Sequence, residues 1–251
     1  MTLTRATNKT FHVRERADAL RSTGLRCVRN ILLINTMLAA GIALASCMTA
    51  VPAGPYSSEQ LAAVREPLKL ALKNFVDAAT VDENYRVLGF RTAAEAKSSE
   101  LGDPIAIYIV PLEKLRNYSA LADPRELLTG GDRLTYPVLT RNAVRSSLTM
   151  AKVNGAWIYA KAGSPKFARR FFTLRSRDEV VSRVAADEYI EVSIPALNLI
   201  FLGRESGASL TLIPSEDYQG FGMRTGSSYP ANMVFARLAA VARTQKSGPF
   251  N

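Results

Sequence analysis

The sequence predicts a single α+β domain, in which an N-terminal helix precedes a largely antiparallel sheet with interspersed helices. Three observations carry this. A capped amphipathic helix opens the domain, short β-branched or alternating segments follow it, and most of these are joined by turns too short for crossover helices.

Ser57 and Gln60 have the spacing of a capping box, and Leu61, Val64, Leu68, Leu72, Phe75, Val76 and Ala79 follow at helical intervals. A helix over 58–79 is expected, bent at Pro67, which has no amide to donate. Thr92 with Glu95 starts a shorter helix over 92–100, closed at Gly102. The apolar, β-branched run 105–110 is a strand, and the polar stretch 117–133 reads as a mobile connection. Strands follow at 136–139 and 144–153. Asn154-Gly155 joins the latter to a strand at 156–162, because both residues tolerate the positive φ of a tight hairpin.

Pro165 opens a helix to about Arg175. Strands at 189–194 and 197–202 are broken at Pro195, and the turn at Glu205, Ser206 and Gly207 leads to a strand at 210–213. Pro230 begins a last helix running to about Arg243. The chain has no internal repeat and no low-complexity segment.

The first 46 residues read differently. A basic stretch to Arg29 precedes an uncharged apolar run at 31–45. That is the length of a secretory signal core and short for a membrane-spanning helix. Directly behind it stand Leu44, Ala45, Ser46 and Cys47. This tetrapeptide resembles the lipobox of bacterial lipoproteins: a branched apolar residue, two small residues and a cysteine. The resemblance implies a signal peptide at 1–46, a diacylglyceryl thioether on Cys47, and cleavage just before it. Residues 47–56, with Pro52 and Pro55, would then form a tether, and 57–246 the domain. Two other readings stand beside it: an ordinary cleavage site at Ala43-Leu44-Ala45 releasing a soluble protein, and an uncleaved single-span anchor. All three place the domain outside the cytoplasm. Met48, where an inner-membrane lipoprotein would carry aspartate, resembles the class sorted to the outer membrane, facing the periplasm.

The expected cleavage also reshapes the chemistry. Residues 1–46 hold seven basic and two acidic side chains, half of the net charge of +10, so the domain is only mildly basic and nucleic acid is a poor partner. The one histidine, His12, leaves with the signal, and of the two cysteines only Cys47 stays, acylated. The mature chain would then lack an intramolecular disulfide, a His- or Cys-ligated zinc site, and the parts of a Ser-His-Asp or Cys-His mechanism. No cofactor and no metal ligand set is expected.

The strongest candidate site is basic. Lys161, Lys166, Arg169, Arg170, Arg175 and Arg177 occur with no intervening acid, and Arg224 lies in the glycine-rich stretch 220–226. Such a patch could dock on anionic headgroups or wall polymers, or it could be the wet face of a helix whose Phe167, Phe171, Phe172 and Leu174 are core. The 220–226 spacing fits neither a phosphate loop nor a dinucleotide fingerprint, and reads as a structured turn. Asp187/Glu188 and Glu216/Asp217 are adjacent acids, which on a strand point to opposite faces. Ser146, Ser147 and Lys152 lack the Ser-x-x-Lys spacing of a serine–lysine hydrolase, and Trp157 reads as a core or edge aromatic.

No catalytic residue is assigned, and the balance of these observations is against an enzyme. The function expected is a non-catalytic envelope lipoprotein, a binding, scaffold or accessory module at a membrane surface. Its partners would be the membrane, through lipid, and anionic envelope polymers or another envelope protein. The alternatives are a carboxylate-based hydrolase of a wall or surface polysaccharide, and an inhibitor or immunity-type partner of another exported protein.

Overall fold

A computed structural model describes residues 55–245. The signal segment, the lipobox with Cys47 and most of the tether lie outside the described residues.

Helix α1, Ser58–Ala79, starts at the expected capping box, with Ser57 and Gln60 satisfying each other's backbone amides, and it continues through Pro67. Helix α2 is shorter than expected, Ala93–Lys97. The Ser98 and Ser99 hydroxyls turn back onto the Glu95 and Ala96 carbonyls, and Glu100–Leu101 leaves the helix as strand β1. Strand β2, Ile105–Ile109, follows. The stretch 117–133 is more ordered than its composition suggests. Helix α3 (Leu112–Arg116) leads into it, a 3₁₀ turn at Pro124–Leu127 lies within it, and strand β3, Thr129–Thr140, begins there.

Strand β4 (Ala143–Val153) and strand β5 (Ala156–Ala162) form the expected hairpin, with φ of 50° at Asn154 and 83° at Gly155. Helix α4, Pro165–Ser182, runs two turns past the expected end, to Arg183 in a left-handed conformation. Strands β6 (Tyr189–Ile194), β7 (Leu199–Ser206), β8 (Ser209–Pro214) and β9 (Tyr229–Pro230) precede helix α5, Ala231–Thr244. This is one α+β domain with a largely antiparallel sheet, as the sequence predicts.

The strand order is β5-β4-β3-β2-β6-β7-β8-β9, with β1 beside β3. At its centre β2 and β6 pair in parallel, Ala106 opposite Ile190. From that pair two antiparallel meanders run outward in opposite directions, one ending in α4 and the other in α5. The helices take opposite faces. Along each central strand successive side chains alternate: Ile105, Tyr189, Leu202 and Ile213 pack with α4, while Ala106 packs with α1 and Ile190, Phe201 and Leu212 with α3 and α5. One face therefore carries α1, α3 and α5, and the other carries α4.

A bulge separates the two ends of β3. Leu134 lies opposite Ala106 of β2, but Tyr108, two residues on along β2, lies opposite Gly130, four residues back along β3. Gly130 and Gly131 take φ of 136° and 97°, and a Cβ on Gly130 would lie 2.8 Å from the Ile107 carbonyl oxygen. Only glycine fits there without strain.

Candidate anion-binding cleft

Helix α4 is fixed from its inner side. Ala168, Phe171, Phe172 and Leu174 are buried, and the Phe171 and Phe172 rings meet edge to face, 5.9 Å between centroids. Its two acids both point inward. Asp178 accepts from Arg204 Nη1 at 2.6 Å and from the Tyr189 hydroxyl at 2.8 Å. Glu179 pairs with Arg175 one turn back, at 3.1 Å. Burial, opposed in part by the Ser182 hydrogen bond, pushes the Tyr189 hydroxyl up to about 12, so it stays a proton donor at any ordinary pH.

With its carboxylates turned inward, the only charges on the outer stripe of α4 are cationic. Arg169, Thr173, Ser176, Arg177 and Val180 recur at intervals of three, four and one, on a single helix face. Opposite them stands the start of β4, Ala143 to Arg145, with Asn142 of the preceding turn. Together they border an open cleft of about 800 Å³, within the range of small-molecule sites. Its apolar side is Val144, Phe172, Val180 and Val181, and its cations are Arg145, Arg169 and Arg177; among the described residues no carboxylate lines it.

The three arginines differ. Arg145 pairs with Glu95 at 2.6 Å, both side chains largely buried, and its Nε is buried without a hydrogen-bond partner. Glu95 also accepts from the Arg91 amide. Burial works against its charged form, but the Arg91 amide and the Arg145 guanidinium outweigh it and hold its pKa below the ordinary range. Arg169 and Arg177 are exposed and, among the described residues, are in no ion pair. Beside them Val180 and Val181 are 80% and 82% exposed. Two adjacent β-branched residues on a helix are poor helix formers, and among the described residues little covers these two.

The basic residues singled out in the sequence are thus divided. Arg169 and Arg177 meet at the cleft. Arg175 is buried, donating to the Asp103 carbonyl at 3.0 Å and lying over the Phe172 ring. Arg170 pairs with Glu216 at 2.9 Å and lies over Phe167. Lys166 is exposed on the first turn of α4, and Lys161 is exposed on β5; neither lines the cleft. Arg224 belongs to the turn before α5, whose amide is held by the Tyr229 hydroxyl. That glycine-rich stretch is built as a turn, with Gly222 and Gly226 at φ of 62° and 77° and Asp217 accepting from the Thr225 amide.

No family model matches the chain, and no curated protein or solved structure is significantly similar to it. The site must be read from its own geometry. The acids weighed as catalytic pairs do not converge: Glu216 is tied to Arg170, Asp217 to Thr225, and Asp187 and Glu188 occupy the 3₁₀ turn before β6. Ser146 and Ser147 are buried in β4, and Trp157 is a buried aromatic on edge strand β5. Two residues of interest carried no sequence signal. Arg145 reads as an ordinary strand polar residue. Glu191, on β6, has its pKa pushed up to about 7 by burial, against the pull of Lys161.

Proposed function

We propose that the chain is an exported, membrane-tethered envelope protein whose domain is a non-catalytic binding module for anionic groups at a membrane surface. One observation carries the binding half: a cleft of about 800 Å³ with two exposed arginines that, among the described residues, have no ion-pair partner and no facing carboxylate. Cations so placed attract phosphate or carboxylate groups, and arginine does so with directional donors. The tethering half rests on Leu44-Ala45-Ser46-Cys47 behind a charged-then-apolar segment. Several acyl chains on one residue give a stable anchor. A tether also raises the local concentration of membrane groups, so a weak cleft suffices.

Two experiments test the halves separately. The N-terminal peptide from native membranes should carry acyl groups on Cys47, and Cys47→Ala should release or mislocalise the protein; an unmodified terminus elsewhere rejects the lipid anchor. For the cleft, the full chain is reconstituted into phosphatidylcholine vesicles with or without phosphatidylglycerol. Amide exchange over 142–145 and 169–181 should slow only with the anionic lipid. In Arg169→Glu/Arg177→Glu that protection should vanish, and in the parent it should fade with salt. Equal protection on neutral vesicles would remove the anionic reading.

A further inference from the structure

Two features of the cleft are not explained by charge alone. Val180 and Val181 are 80% and 82% exposed at the mouth of a site whose inner wall is Val144 and Phe172. A site for a bare anion or a sugar polymer would be lined by polar donors. Here the two unpaired arginines flank the hydroxyls of Thr173 and Ser176, and the apolar wall continues from Phe172 to the valines.

The helix repeat puts these parts in line. Arg169 and Arg177 are eight residues apart, about 12 Å along the axis, and Val180 and Val181 follow on the next turn. A ligand lying along α4 thus meets cations and hydroxyls over two turns and uncovered aliphatic carbon beyond them. We infer that the cleft takes an amphiphile with a phosphate headgroup and an acyl chain, the phosphate at Arg169 and Arg177 and the chain against Val144, Phe172, Val180 and Val181. This rests on the anion-binding reading above and narrows its ligand. Burial of the chain removes the valines from water, and the phosphate replaces the water held by the guanidinium groups.

The test uses the full chain in nanodiscs of digalactosyldiacylglycerol, an uncharged lipid that contains no phosphate, with amide exchange over 142–145 and 169–181 as the readout. Three probes are titrated: octyl phosphate below its micelle concentration, inorganic phosphate, and octyl glucoside. Octyl phosphate should protect both segments at concentrations at least about tenfold below inorganic phosphate, since several methylenes leave water. Octyl glucoside should protect neither at the same concentration. Arg169→Glu/Arg177→Glu should abolish the effect. Val180→Ser/Val181→Ser, which alters exposed positions only and so keeps the fold, should raise the half-protection concentration of octyl phosphate about tenfold while leaving that of inorganic phosphate unchanged.

Equal protection by inorganic and octyl phosphate would overturn the acyl assignment and leave a plain anion site, so the binding reading would survive. Protection by octyl glucoside equal to that by octyl phosphate would overturn both, as would protection by none of the three.

Discussion

Replacing Asp178 with alanine is expected to lower the unfolding free energy by about 3 kcal/mol, and the midpoint by about 6–12 °C. The carboxylate joins three elements: it lies on α4, accepts from Tyr189 on β6 at 2.8 Å and from Arg204 on β7 at 2.6 Å. The Arg204 and Asp178 side chains keep only 18% and 12% of their accessible surface. Exposed pairs are worth little, but a shielded guanidinium left alone keeps its desolvation cost and loses its partner. Tyr189 has no exposed surface and keeps only its contact with Ser182, at 3.1 Å. Alanine therefore leaves two polar groups under-satisfied.

A double variant isolates the pair. Asp178→Ala/Arg204→Met should recover part of the loss, because an apolar replacement of both partners leaves no orphaned charge. Urea unfolding of the single and double variants measures this; a single-variant loss under about 1 kcal/mol, or no recovery in the double, would show that the pair is not shielded as described. The consequence reaches the cleft. Asp178 holds the last turns of α4, which carry Arg177, Val180 and Val181, so the variant should also weaken anion-dependent protection there.

The fold was legible where the sequence carries local, stereochemical signals. Ser57 with Gln60, Thr92 with Glu95, and Asn154-Gly155 each need particular backbone geometry, and each stands where expected. Non-local pairing was not legible. Nothing in Ile105–Ile109 or Tyr189–Ile194 says that these strands lie side by side in parallel, since their partners are set by packing more than eighty residues apart in sequence. The start of β3 was hidden by Gly130, Gly131 and Asp132, residue types depleted in strands; β2 pairs with Gly130 all the same, and β4 with Arg133. The extension of α4 to Ser182 was hidden because Val180 and Val181 continue no apolar stripe, and what holds those turns is the polar anchor at Asp178.

The site was half legible for a related reason. The run from Lys161 to Arg177 announces basic charge, but which cations remain free depends on where the acids come from. Glu216 removes Arg170 from forty-six residues away, and Glu179 takes Arg175 within the helix. Arg145 joins the cleft from β4. A count of charge along the sequence sees none of this cancellation.

Glu191 marks the same limit. In Ile190-Glu191-Val192-Ser193-Ile194 the alternation predicts one wet face, yet α4 packs on that face, against Leu202, the cross-strand neighbour of Glu191. Burial lifts the carboxyl from its ordinary value of 4.5 to about 7, and Lys161 opposes the rise. Between those values the folded chain holds a proton that the unfolded chain has released, so the contribution of Glu191 to stability is greatest at low pH and is lost as pH rises through about 7. A shift of that size corresponds to about 3 kcal/mol. Glu191→Gln keeps the shape and removes the charge, and is expected to be more stable than the parent by about 3 kcal/mol at pH 8 and nearly equal to it at pH 4. Glu205, whose pKa burial also raises, adds a slope of the same sign in both proteins, so the difference between them isolates Glu191. Urea unfolding across that range is the measurement, and parallel pH profiles for the two would contradict it. Lys161→Met should act in the opposite sense. Without the cation the carboxyl loses the charge that opposes its rise, and the decline should continue to higher pH.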